Sequence, residues 1–132
     1  MITAMQIHAR FGSYFLQVPA MGAALYFFRD QLGLKLRHEL CNCGKTDPTD
    51  EELASHLWLE LDAGITIFLQ KVDQIEPRDL GIGLEVENAQ IAYEQLQKAG
   101  VYVLEQPKQI TPEVKGFEIH DPFKNSIFIY GS

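Results

Sequence analysis

Four histidines, two cysteines and 18 acidic residues are the groups in this 132-residue chain with the most chemistry to offer. Three of them, Glu60, Glu118 and His120, are the candidates for a general acid or base. Desolvation by flat apolar walls is how a carboxyl is tuned for proton transfer, and Trp58 stands two residues from Glu60. No nucleophile comes with an adjacent base: there is no Gly-x-Ser-x-Gly, and no Gly-x-Gly-x-x-Gly opens a helix. The run Gly81-Ile82-Gly83 leads into Leu84-Glu85-Val86 and reads as strand. Cys41 and Cys43, one residue apart with only His38 nearby, fall short of the four ligands zinc takes. They are expected as reduced thiols in a surface loop. His56 and Glu60, four apart on one strand, would sit roughly 13 Å from each other, too far for one ion. His56 and His120 come from distant segments, and His8 and His38 carry less signal.

These residues depend on a pattern that occurs twice. Ser13 to Val18 alternates as a strand, and Met21 to Leu32 then carries apolar residues at helical spacing until Gly33 stops it. Strands follow over Leu34 to Leu40, His56 to Leu61 and Ile65 to Gln70, with Asp62-Ala63-Gly64 as a turn and Cys41 to Leu53 as a polar loop. The second half repeats the order. Gly81 to Val86 is a strand; Ala89 to Ala99 is a helix with Asn88 as N-cap and Gly100 as its stop. Strands come next at Val101 to Glu105, Val114 to His120 and Ser126 to Tyr130, the last two joined by the turn Asp121 to Asn125. The expected class is α+β, with two tandem β-α-β-β-β modules (residues 12–71 and 81–131), a linker over 72–80 and an N-terminal extension over 1–11.

The duplicated module, the string Phe27-Phe28-Arg29-Asp30-Gln31-Leu32-Gly33-Leu34 and the ending Asp121-Pro122-Phe123-Lys124-Asn125 resemble the vicinal oxygen chelate superfamily. That group holds glyoxalase I, extradiol dioxygenases, fosfomycin-resistance enzymes and bleomycin-resistance proteins. The resemblance covers roughly residues 12 to 131, and Phe28 replaces the tyrosine of the family's Phe-Tyr-Arg-Asp-x-Leu-Gly pattern. It implies a curled mixed sheet around a concave pocket, with helices on the outer face. It does not imply one activity, because the superfamily hosts many.

Given that fold, period-two alternation sorts the strand residues. Tyr14, Leu16, Val18, Leu57, Leu59, Leu61, Ile65, Ile67, Leu69, Ile82, Leu84, Val86, Ile127 and Ile129 are expected toward the helices. The pocket side then carries Phe15, Gln17, His56, Trp58, Glu60, Phe68, Gln70, Glu85, Glu118, Phe128 and Tyr130 as ligand-binding candidates, with Ser13, Thr66, Gly81, Gly83, His120 and Ser126 beside them. Metal-dependent relatives place His or Glu at positions that map onto Ser13, Phe68, Gly81 and Phe128. Two phenylalanines and a glycine have no lone pair to offer, so neither metal nor other cofactor is expected. What remains is an aromatic surface with a few acids, suited to a flat or cationic small molecule.

Three functions fit these residues. One is a metal-free binding protein of the bleomycin-resistance type that sequesters or carries a small aromatic or cationic ligand. Another is an isomerase, lyase or dioxygenase acting on a small oxygenated metabolite, metal-free or with a relocated metal. The third is a regulatory domain whose pocket is vestigial. Relatives of this size commonly dimerise, and a homodimer is expected. A net charge of −7 and scattered basic residues argue against a nucleic-acid partner, and none is expected. Fourteen aromatic residues argue for a packed core over disorder. No apolar run approaches the ~20 residues of a membrane span, and no secretory signal opens the chain; a cytoplasmic protein is expected.

Overall fold

The computed structural model describes residues 13–37, 48–64 and 66–132. The 1–11 extension, His8, His38, Cys41, Cys43, Ile65 and the side chain of Ser13 lie outside the described residues. The first half builds β1 (Ser13–Val18), α1 (Met21–Leu25), β2 (Lys35–Leu36), α2 (Asp50–Ala54), β3 (Trp58–Asp62) and β4 (Thr66–Lys71). The second builds β5 (Asp79–Glu85), α3 (Ala89–Lys98), β6 (Tyr102–Val103), β7 (Lys108–Thr111), β8 (Val114–His120) and β9 (Ser126–Gly131). The strands form two sheets of matching plan, β1-β4-β3-β2 and β5-β9-β8-β6, with β7 paired to β8. The first strand of each sheet runs parallel to the last, and the remaining pairs are antiparallel. This is the α+β plan expected from the repeat.

Alternation put the core where it belongs. Leu16, Val18, Leu59, Leu61, Ile67, Leu69, Ile127 and Ile129 are all buried, each burial being worth roughly 1.5–3 kcal/mol. Leu57 is the exception, 64% exposed. Strand β3 begins only at Trp58, so Leu57 lies before the stretch that the helices cover.

Helix α1 continues as a π-helical turn over Tyr26–Gln31, closed by Leu32 N–H on Phe27 O at 2.9 Å. The turn brings consecutive Phe27 and Phe28 inward, edge to face with centroids 4.9 Å apart. At the end of the turn Gln31 Nε2 donates to Ala99 O at 2.9 Å, tying the last turn of α1 to the end of α3.

Several elements differ from the sequence reading; β6 spans only Tyr102–Val103 where Val101 to Glu105 was expected. The polar loop expected over Cys41 to Leu53 contains α2, which a capping box starts: Thr49 Oγ1 accepts from Glu52 N–H while the Glu52 carboxylate accepts from Thr49 N–H. Arg29 of the π-helical turn grips Asp50 through two bonds of 2.9 Å, and Leu53 is buried beneath. Strand β7 was not foreseen because all four of its residues are exposed, leaving no apolar alternation to read. Strand β5 starts two residues early and carries a register shift between Asp79 and Gly83. Gly81, with φ of 69°, makes that irregularity, in a conformation costly for a side-chain-bearing residue.

Candidate functional site

Register turns the expected pocket side into rows. In the first sheet Phe15, Phe68 and Glu60 stand side by side across β1, β4 and β3, and Gln17, Gln70 and Trp58 form the next row. In the second sheet Gly83, Phe128 and Glu118 occupy the matching row, followed by Glu85, Tyr130 and Gly116. Each half therefore sets a glutamate opposite a phenylalanine. Arg37 N–H donates to Glu60 O, and Leu104 N–H donates to Glu118 O, so Arg37 and Leu104 are equivalent as well.

The two halves then diverge. In the first, Phe15 and Phe68 stack with centroids 5.1 Å apart and rings 8° from parallel. Phe15 is 63% exposed and Trp58 48% exposed; Trp58 is diagonal to Phe68, roughly 7–8 Å away. Glu60, on the same face, is buried at 6% exposure. Its Oε1 lies 3.7 Å from Arg37 Nη1, and its Oε2 has no hydrogen-bond partner. In the second half, Phe128 and Tyr130 stack more loosely, at 6.3 Å and 26°. Gly116 sits beneath the Phe128 ring and the Ile110 methyl, where a Cβ would overlap both. Glu118 is half-buried and Glu85 exposed.

Two candidates sit elsewhere. His56 precedes β3, with Nδ1 2.7 Å from Glu52 O at the end of α2, so it is not part of the rows. His120 ends β8 beside Ser126. Its ring stacks on Tyr102 at 5.2 Å in a cleft of about 280 Å³ shared with Tyr26 and Phe27. A larger cleft of about 560 Å³ runs along β5, lined by Leu84, Val86 and Leu96 with Gly64 of the β3–β4 turn. The aromatic face of the first sheet contributes nothing to either cleft. A third cleft, of about 370 Å³, is lined by Gln17 of that face together with Ile75, Arg78 and Asn125.

The turn before β9 is a closed polar knot. Asp121 Oδ1 accepts from Phe123 N–H and Asn125 N–H, and Oδ2 accepts from Asn125 Nδ2, all at 2.9 Å. Asn125 Oδ1 in turn accepts from Arg78 N–H at 3.1 Å. The Asp-Pro-x-x-Asn signature is thus a structural clamp that launches β9 and ties it to the approach to β5. Lys124 takes a left-handed φ of 67° inside it.

A family model for the Glyoxalase/Bleomycin resistance protein/Dioxygenase superfamily matches residues 10–129. The chain belongs to that superfamily. A superfamily member from Sphaerobacter thermophilus is similar in structure, with a TM-score of 0.72, 20% identity, and 95% of this chain and 98% of that chain covered. A glyoxalase/dioxygenase from Nostoc punctiforme gives a TM-score of 0.67 at 16% identity, covering 98% and 99%. Identities this low carry the fold alone. No curated protein matches the sequence significantly.

Superfamily membership raises the question of an ion, and donor chemistry answers it. The first-strand residues level with Phe68 and Phe128 are Phe15 and Gly83, while Ser13 is level with Thr66. Phe15, Phe68, Gly83 and Phe128 offer no donor atom, and these residues do not fit a divalent ion. Among the described residues no group of three or more His, Cys, Asp and Glu is arranged to hold one. No described helix is long and apolar enough to cross a membrane.

Proposed function

We propose that this superfamily member is a metal-independent small-molecule binding protein that sequesters or carries a flat aromatic ligand on the Phe15–Phe68 face. One observation supports the reading: a stacked phenyl pair, its outer ring 63% exposed, lies level with Glu60 across the first sheet. Burying Phe15 under a ligand would gain roughly 1.5–3 kcal/mol. Beside it Trp58 adds a further exposed aromatic surface, and Gln17 and Gln70 add hydrogen-bonding groups in the next row. This is the make-up of a recognition surface with a few placed polar groups. The same reading includes a homodimer.

Trp58 is the single tryptophan, which makes the test direct. Titration with flat cationic aromatic dyes should quench its emission saturably. Phe15→Ala should weaken that binding while changing stability by less than about 0.5 kcal/mol, as exposed substitutions usually do. Absence of quenching by every dye would remove the support for a ligand surface here.

A further inference from the structure

Among the described residues, Arg78 is the arginine with no acid partner. Arg29 is held by Asp30 and Asp50, and Arg37 lies against Glu60. Arg78 is exposed, and its guanidinium makes no ion pair or hydrogen bond with the described residues. Its backbone is fixed instead. Arg78 N–H donates to the buried Asn125 Oδ1 at 3.1 Å, and Arg78 O accepts from Ser126 N–H at 2.8 Å. Pro77 restricts the chain just before it. The root of the side chain is anchored to the Asp121–Asn125 clamp while its charged end stays unpaired. Its place matters as much as its charge. Arg78 lines the cleft of about 370 Å³ together with Gln17, Gln74 and Asn125. Gln17 belongs to the exposed side of β1 that also carries Phe15, two residues and roughly 7 Å away along the strand. The cationic cleft and the stacked rings therefore adjoin at Gln17.

We propose that Arg78 binds the carboxylate of a flat aromatic acid whose ring lies on the Phe15–Phe68 pair, the acid group reaching past Gln17 into this cleft. The inference rests on the aromatic-surface reading above and narrows it to a ligand class. A guanidinium presents a planar fork that matches a carboxylate bidentately. Gln17 and Gln74 add neutral amide donors beside it. Glu76 lines the same cleft, and its charge repels a second negative charge on the ligand. An aryl carboxylate therefore fits ahead of an aryl phosphate dianion. Because the backbone of Arg78 is already held, little freedom is lost when the anion arrives. Stacking on the phenyl pair accepts a ligand of either charge; Arg78 adds a preference at one end of it.

Calorimetric titration with 2-naphthoate and its neutral isostere 2-naphthamide isolates the charge. The full chain should bind 2-naphthoate about fivefold tighter, as one partly exposed bidentate pair allows. In Arg78→Gln, which leaves both backbone bonds in place, the ratio should fall to near one while 2-naphthamide binding holds. Added salt should shrink the ratio of the parent chain. Phe15→Ala should weaken both probes alike. Equal binding of the two probes by the parent, or a ratio that survives Arg78→Gln, overturns the role of Arg78 and leaves the aromatic surface standing. A ratio lost in Arg78→Gln with neither probe affected by Phe15→Ala overturns the aromatic surface, and with it the ligand class proposed here. If the parent binds neither probe, both proposals fall.

Discussion

Removing the carboxylate of Asp121 should unfold the chain more readily than almost any other single polar deletion. The side chain is 4% exposed and accepts three hydrogen bonds of 2.9 Å. Bonds to a charged group contribute about 1.5–3 kcal/mol each. The desolvation of the buried carboxylate offsets several kcal/mol of that total. What Asp121→Ala cannot offset is the stranding of Asn125, 1% exposed, whose N–H and Nδ2 both lose their acceptor. A net loss of about 3–5 kcal/mol follows. Urea unfolding followed by circular dichroism should then show a midpoint about 2 M lower, with an unchanged slope. Asp121→Asn keeps the Oδ1 acceptor but sets two amide nitrogens against each other, so it should fall between parent and alanine variant. A midpoint shift under about 0.5 M for Asp121→Ala would refute the clamp as the device that launches β9.

Two further expectations concern the frame around the site. Gly116→Ala places a Cβ against the Phe128 ring and the Ile110 methyl, and should cost about 1–3 kcal/mol through overpacking. The penalty should shrink in a Phe128→Ala background; an equal penalty in both backgrounds would show that the ring is not the obstacle. The Arg29 guanidinium holds the exposed Asp50 carboxyl below its ordinary range, chiefly through their hydrogen bonds. Stability from this pair is present above the unfolded carboxylate value of about 3.9 and is lost as pH falls through the lower folded value. The gap between parent and Asp50→Asn should be open at neutral pH and close on strong acidification; a gap independent of pH would contradict the pairing.

Much of the architecture was legible because its signals are local. Side chains on a strand alternate with period two, so Leu16 and Val18, Ile67 and Leu69, and Ile127 and Ile129 announce their burial with no knowledge of their partners. Helix ends behave likewise: Gly33 follows the π-helical turn and Gly100 follows α3, both with positive φ, and Asn88 Oδ1 accepts from Ile91 N–H. Helix α2 was missed: the capping box of Thr49 and Glu52 starts it, but its single turn hides behind the polarity of its surroundings. His56 was misplaced because the sequence does not mark where a short helix gives way to β3.

The chain of residues alone determined which side chains share a face. Only the tertiary structure decided what stands beside what. Pairing, not spacing, put Phe15 and Gly83 next to the last strands, because the offset between two strands distant in sequence is set when they meet. It also separated Trp58 from Glu60: both point to one side of β3, yet one is half exposed and the other buried with an unpaired oxygen. Depth is a property of everything packed around a residue, and no local period encodes it.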